Sequence, residues 1–155
     1  MLFTDGSVDT KLRIGYGAYL AFLEGDGSHE SLAEQIRVKQ FVDTSSTKLE
    51  LQTLLWALSE VSTPEIILHT DSQNIVGLAS RRKKLEENDY YAKNGKQLNN
   101  HELYRKFYEA TDHLNIKLNQ VSGHAPSSEK SVIDKIFSLV DRASRNALRA
   151  YTSNK

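Results

Sequence analysis

Three acidic residues occupy places in the sequence where a carboxylate can do chemistry. Asp5 follows a short apolar run in "FTDGS", Asp71 follows the apolar run "EIILH", and Glu50 lies near the start of a helical pattern. Each also has an ordinary interpretation: Asp5 as a turn residue, Asp71 as a helix cap, and Glu50 as the partner of Thr47 in a capping box. Helical spacing weakens the capping-box interpretation of Glu50. Leu54 lies one turn after Glu50, so Glu50 borders the apolar face of the helix rather than pointing outward.

Three carboxylates gathered around one sheet would repel each other unless something neutralised them. Mg²⁺ suits such a cluster, because it prefers oxygen ligands and keeps several waters. Two such ions about 3.5–4 Å apart can activate a water and stabilise the leaving oxygen of an in-line phosphodiester displacement. The sequence therefore predicts a site for two Mg²⁺ ions, with Mn²⁺ as a substitute.

Two further aspartates, Asp134 and Asp141, lie seven residues apart in "SEKSVIDKIFSLVDRASRNALRA". The apolar spacing of this stretch predicts one long helix with a buried stripe of Ile133, Ile136, Phe137, Val140, Ala143, Ala147 and Leu148. Seven residues are close to two helical turns, so both carboxylates point to nearly the same side. Helical spacing alone leaves open which of the two aspartates has a chemical role.

Composition sets broad limits on the class of protein. A chain of 155 residues fits a single domain, here residues 1–155, since about 150 residues hide roughly 70% of their unfolded surface. The 20 basic residues balance the 20 acidic ones, so a polyanionic partner must be recognised by a local cluster of charge. Cysteine is absent, and no apolar run approaches the roughly 20 residues that cross a bilayer. Because the N-terminus also lacks signal-peptide features, we expect a soluble, cytoplasmic protein without a membrane partner.

The order of elements predicts a mixed α/β domain with a five-stranded sheet. Apolar runs and alternation indicate strands at 2–4, 16–23, 35–42, 65–70 and 116–121, and helical periodicity indicates helices at 51–61, 71–84, 101–114 and 128–150. In such sheets the polar residues that do chemistry gather at one edge, where strands end and helices begin.

Six segments, in order, resemble one known family. They are "FTDGS", "GYGAYL", "TKLELQTLLWAL", "HTDSQ", "VSGHAP" and "VDRASRNAL", and they span nearly the whole chain. This series is similar to type 1 ribonuclease H, the enzymes that cut the RNA strand of RNA–DNA hybrids. The resemblance implies a ribonuclease H-like α/β fold, with a five-stranded mixed sheet and helices packed on both faces. It also implies an endonuclease that uses two metal ions and leaves 3′-hydroxyl and 5′-phosphate ends, and we expect a monomer.

The resemblance also implies roles for particular residues. The metal ligands would be Asp5, Glu50, Asp71 and an aspartate of the last helix, while His124 would be the mobile histidine that assists proton transfer or product release. The family's usual distance from that histidine favours Asp134, whereas the local pattern "VDRASRNAL" favours Asp141. We choose Asp141 and infer a seven-residue insertion before it, which preserves the facing direction of the helix.

Substrate contacts are expected from polar residues beside these carboxylates and from a basic stretch between Arg81 and Lys106. The ordinary interpretation of the stretch is a solvated face, because acidic residues dilute its charge. Its position resembles the basic protrusion with which many family members hold the hybrid backbone. Ser46 and Thr47 stand where the best-known branch carries an asparagine pair. The expected substrate-binding residues are Gly6, Ser7, Ser46, Thr47, Ser72, Gln73, Lys83, Lys84, Lys93 and Lys96.

Two rival interpretations remain at this stage. A recombinase or junction resolvase of the same fold superfamily also places carboxylates on such a sheet, and it cuts DNA. The shortness of the chain and the order of its motifs speak against this alternative. The second rival is a binding module that keeps the fold but has lost catalysis, and the intact acidic set speaks against it.

Overall fold

A five-stranded mixed sheet forms the centre of the molecule. The computed structural model describes residues 1–23, 29–121 and 131–154. The strands are β1 (Leu2–Asp9), β2 (Ile14–Ala21), β3 (Arg37–Val42), β4 (Glu65–Thr70) and β5 (Asn115–Gln120). The helices are α1 (His29–Glu34), α2 (Ser46–Glu60), α3 (Gln73–Val76), α4 (Leu78–Glu87), α5 (His101–His113) and α6 (Val132–Ser153). Among the helices in these ranges, none is both long and apolar enough to cross a membrane.

The strand order is β3-β2-β1-β4-β5, which places β1 at the centre. β1 pairs antiparallel with β2, and β2 pairs antiparallel with β3, whereas β4 runs parallel to both β1 and β5. The predicted mixed sheet is therefore confirmed, and its two parallel pairs bring the ends of β1, β4 and β5 to the same region.

Helices cover both faces of this sheet, as predicted. Neighbouring side chains of a strand point to opposite faces, and Leu2 and Phe3 of β1 accordingly enter two separate apolar clusters. Leu2 packs in the cluster that contains residues of α2, α3, α4 and α5. Phe3 packs with Leu32 of α1 and Val140 of α6. The central strand thus carries one set of side chains toward α2 and the other toward α6.

α2 lies unusually close to the sheet, because glycines face it. A Cβ atom on Gly6 would lie 2.8 Å from Leu49 Cδ2, and one on Gly17 would overlap the side chain of Thr53. Real Cβ atoms do not approach other atoms this closely, so a larger residue at either position would push α2 outward. Close packing at Leu49 also fixes the height of the next residue, Glu50, above the sheet.

Several predicted boundaries were wrong. β1 continues through Asp9, because its pairing with β2 extends to Asp9 opposite Ile14, so Asp5 lies inside the strand rather than at its end. The predicted helix over 71–84 is divided at Gly77, which ends α3 and precedes α4. α4 then continues to Glu87, three residues beyond the predicted end of the helix, and α1 was not predicted at all.

The glycine contact predicts a coupled stability effect. Gly17→Ala should lower the free energy of unfolding by about 1–3 kcal/mol, because the new methyl group meets Thr53. In a Thr53→Ala background, where that side chain is shortened, the same substitution should cost much less. Urea denaturation of the two single variants and the double variant measures this coupling. Equal costs of Gly17→Ala in both backgrounds would show that Thr53 does not set the spacing.

Candidate active site

Asp5 and Asp141 meet between β1 and α6. Asp5 lies on the same face of β1 as Phe3, and Asp141 directly follows Val140, which shares the apolar cluster of Phe3. The two carboxyl groups are close enough to share a hydrogen bond. The pKa of Asp5 is raised to about 9, first by burial, then by this hydrogen bond and by the charges of Asp71 and Asp141, while the backbone N–H of Gly6 opposes the shift. In the absence of a cation, Asp5 therefore keeps its proton at neutral pH.

Glu50 is held from the other side of the sheet. The Ser72 hydroxyl donates a hydrogen bond of 2.6 Å to Glu50 Oε2 and accepts one of 3.2 Å from the backbone N–H of Ile75, so that it also caps α3. Burial raises the pKa of Glu50, and the nearby charge of Asp71 adds to this, whereas the Ser72 hydrogen bond lowers it. The ordinary interpretation of Glu50, a capping box with Thr47, does not hold, because Ser45 caps α2 and accepts from the Lys48 N–H.

Asp71 follows β4 and is exposed. Its charge raises the pKa of both Asp5 and Glu50, so Asp71 lies near each of them. We call Asp5, Glu50, Asp71 and Asp141 the acidic cluster. Within the ranges that the structure describes, no three acidic or histidine side chains are already arranged as a metal cage. Ligation of a cation would therefore require side-chain rotation, for example of the exposed Asp71.

Arg145 supplies a positive charge at the acidic cluster. Its Nη2 lies 2.6 Å from Asp141 Oδ2 and its Nε donates to Oδ1 over 3.2 Å, across one turn of α6. The guanidinium fork offsets part of the repulsion on Asp141. It remains partly exposed, so solvent screens much of its effect.

Asp134 has a different environment from Asp141. It is the third residue of α6 and forms a capping box with Ser131: the Ser131 N–H donates to Asp134 Oδ2 over 3.2 Å, and the Asp134 N–H donates to Ser131 Oγ over 3.2 Å. The structure therefore brings Asp141, and not Asp134, to Asp5. His124 lies outside the described residues.

The residues other than lysine that were expected to contact a substrate differ in exposure. Ser46 and Thr47 are exposed in the turn of α2 that precedes Glu50, and Gln73 is exposed two residues after Asp71. Ser72, in contrast, is only 5% exposed and is used by Glu50, so its position fits the orientation of that carboxylate better than contact with a substrate. The other two, Gly6 and Ser7, pack against α2 and α6 respectively.

The basic residues between Arg81 and Lys106 differ in their partners: arginines contact other side chains of the protein, whereas the lysines are exposed. Arg82 forms a fork with Asp112, at 2.7 and 2.9 Å, and pairs with Glu86 at 2.6 Å, so it joins α4 to α5. Arg105 lies over the ring of the buried Tyr90, 4.5 Å from its centre. The four lysines predicted to contact substrate, Lys83, Lys84, Lys93 and Lys96, are all exposed, and so is Lys106 at the end of the stretch.

Ser144 is a candidate site residue that the sequence did not reveal. Its side chain is fully buried, and its hydroxyl lies 3.0 Å from that of Ser7 and donates to the backbone oxygen of Asp141 over 2.9 Å. The available signal was a polar residue one turn after Asp141, close to the apolar stripe of the helix.

Comparisons with known proteins agree on one family. The family model described as RNase H matches residues 1–141. Ribonuclease H of Haemophilus influenzae (strain 86-028NP) is 28% identical over 138 residues, which cover 87% of this chain and 84% of that protein. Ribonuclease HI of Pasteurella multocida (strain Pm70) has the same identity and coverage. Ribonuclease H of Xanthomonas oryzae pv. oryzae (strain MAFF 311018) is 27% identical over 122 residues, 77% of this chain and 78% of that protein.

The raised pKa of Asp5 predicts a pH-dependent stability in buffer with a chelator. Unfolded Asp5 ionises near its ordinary pKa of 3.8 and folded Asp5 near about 9, so the folded state binds the extra proton between these values. The free energy of unfolding should therefore fall as pH rises through this window. Asp5→Asn should flatten the fall and be more stable than the wild type at pH 8, by on the order of 1–3 kcal/mol.

Urea denaturation at pH 5 to 9 measures the effect. Asp134→Asn is the control: it removes a charge from the first turn of α6 but should keep the wild-type slope. Parallel curves for the wild type and Asp5→Asn would mean that Asp5 is not held protonated.

Proposed function

Since the chain belongs to the RNase H family, we propose that it hydrolyses the RNA strand of RNA–DNA hybrids by a two-metal-ion mechanism, as a monomer. Membership of the family makes the chain a ribonuclease. The substrate, the metal ions and the products, a 3′-hydroxyl and a 5′-phosphate, form the proposal. The observation that carries it is the acidic cluster, whose four carboxylates come from separate parts of the chain: Asp141 and Asp71 both act on Asp5, and Asp71 also acts on Glu50.

The residues of the acidic cluster fit hard divalent cations. All four offer carboxylate oxygens, which Mg²⁺ and Mn²⁺ accept as ligands. Burial and the neighbouring carboxyl groups raise the pKa of Asp5, and a bound cation would act in the opposite direction by favouring its ionised form. Asp5, Glu50, Asp71 and Asp141 would hold the ions. When bound, such ions supply activation of the attacking water and stabilisation of the leaving oxygen.

Other residues of the chain would orient these ligands and the substrate. Ser72 fixes one carboxylate oxygen of Glu50, and Arg145 steadies Asp141. Ser46, Thr47 and Gln73 are exposed close to the cluster, where they could bind sugar hydroxyls or phosphates. Contact with the 2′-hydroxyl groups would distinguish RNA from DNA. We propose that His124 assists proton transfer or product release, for which an ordinary histidine pKa is suited.

A cleavage assay tests the proposal. The purified protein is incubated with an RNA–DNA hybrid, duplex DNA or duplex RNA of the same sequence, with Mg²⁺, Mn²⁺ or a chelator. We expect cleavage of the hybrid alone, in the RNA strand, and only with a divalent cation. Cleavage of duplex DNA would favour the recombinase or resolvase alternative, and hybrid binding without cleavage would favour a silent binding module.

The two aspartates of α6 provide a matched pair of variants. Asp141→Asn should abolish hybrid cleavage, by about 100-fold or more, because it removes a charge from the acidic cluster. Asp134→Asn should keep most of the activity, because Asp134 caps its own helix at a distance from the cluster. Initial rates at saturating Mg²⁺ separate the two. Loss of activity in Asp134→Asn with a folded, active Asp141→Asn would reverse the assignment.

The exposed lysines predict a salt effect. Replacing Lys83, Lys84, Lys93 and Lys96 by Ala should raise the KM for hybrid and flatten its salt dependence, because each lost phosphate contact removes roughly 0.7–0.9 from the logarithmic slope. Arg82→Ala should instead lower the free energy of unfolding, since the Arg82 side chain joins α4 to α5. Measurement of KM between 50 and about 200 mM salt separates these effects. An unchanged slope in the lysine variant would place the hybrid elsewhere.

A further inference from the structure

β1 and α6 touch at three successive levels. Every second residue of β1 faces α6, since the strand repeats after two residues. At the first level Phe3 packs in one apolar cluster with Val140. At the second level the carboxyl groups of Asp5 and Asp141 meet. At the third level Ser7 Oγ lies 3.0 Å from Ser144 Oγ.

The hydrogen bonds at the third level have a fixed direction. A serine hydroxyl carries one proton, and the Ser144 hydroxyl donates it to the backbone oxygen of Asp141 over 2.9 Å. The proton between the two serines must then come from Ser7, so Ser7 donates to Ser144. The chain of hydrogen bonds therefore runs from β1 to the peptide group of Asp141.

The middle level is the unstable one. Two carboxylates in contact repel when both are ionised, as they must be to hold a cation. The apolar contact of Phe3 and Val140 secures one side of this level, and the hydroxyl pair secures the other. Because Ser144 is fully buried, loss of the Ser7 hydroxyl would leave the Ser144 oxygen without a donor, in a place that water does not reach.

We propose that Ser7 and Ser144 are positioning residues, which hold Asp141 at Asp5 so that the two carboxylates can share a divalent cation. The proposal rests on the proposed function for the identity of the bound ion. It gives Ser7 a role different from the expected substrate contact. Ser144 cannot contact a substrate in this structure, because its side chain has no exposed surface.

The experiment compares Ser7→Ala, Ser144→Ala and the double variant with Ser138→Ala. Ser138 is a matched control, because it lies on the same helix and also donates to a backbone oxygen, that of Asp134, over 2.9 Å. Mg²⁺ and Mn²⁺ binding is measured without substrate by calorimetry on the full chain, and KM and kcat for the hybrid are measured at saturating Mg²⁺. Circular dichroism shows that each variant folds.

We expect each single variant to bind Mg²⁺ about tenfold more weakly, which is the usual effect of losing a partner that orients a metal ligand. The double variant should be no weaker than the single ones, because both substitutions break one chain of hydrogen bonds. KM for the hybrid should stay near the wild-type value, Ser138→Ala should behave as the wild type, and Ser7→Thr, which keeps a hydroxyl, should restore binding.

Three results would overturn the proposal. The first is wild-type metal affinity in both single variants, and the second is additive losses in the double variant. The third is a raised KM in Ser7→Ala alone, which would make Ser7 a substrate contact. If Ser144→Ala does not fold, Ser7→Ala and Ser7→Thr still decide the question. Wild-type protein that binds Mg²⁺ but cuts no hybrid would overturn the proposed function, while the metal affinities of the variants would still test the serine pair.

Discussion

Two carboxyl groups in contact beside a buried strand repel each other unless a proton or a cation lies with them, and Asp5 and Asp141 are held in this position. Much of the surrounding structure makes sense as a means of holding them there. Apolar packing of Phe3 against α6 secures one side, the hydroxyls of Ser7 and Ser144 secure the other, and Arg145 places a positive charge on Asp141.

The opposite face of the sheet brings the third carboxylate to the same place. α2 can approach β1 and β2 closely because Gly6 and Gly17 have no side chains. Glu50 then reaches the cluster at a height set by Leu49, and the Ser72 hydroxyl fixes one of its oxygens. The capping of α3 and the orientation of Glu50 thus depend on one hydroxyl, that of Ser72. It connects the start of α3, directly after β4, to a carboxylate of the acidic cluster.

The sequence predicted those features that depend on residue type and local spacing. Helical periodicity indicated α6. The likeness of the pattern around Asp141 to the family favoured it over Asp134, which the structure places in a capping box. Features that depend on distant partners were missed. β1 extends beyond Asp5 because β2 pairs with it along its whole length. Arg82 forms hydrogen bonds with Asp112, thirty residues away, and this partner could not be read from the local sequence. Ser144 was missed because a serine near an apolar stripe carries no sign of its partner on β1.

We propose that Asp5, Glu50, Asp71 and Asp141 together form a divalent-cation site. The decisive measurement is a crystal structure of the protein with Mn²⁺, in which anomalous scattering locates the metal. We expect metal bound to Asp5 and shared with Asp141, Glu50 or Asp71, and none at Asp134. Metal held by Asp134 in place of Asp141, or an acidic cluster without metal at a Mn²⁺ concentration that supports cleavage, would contradict it.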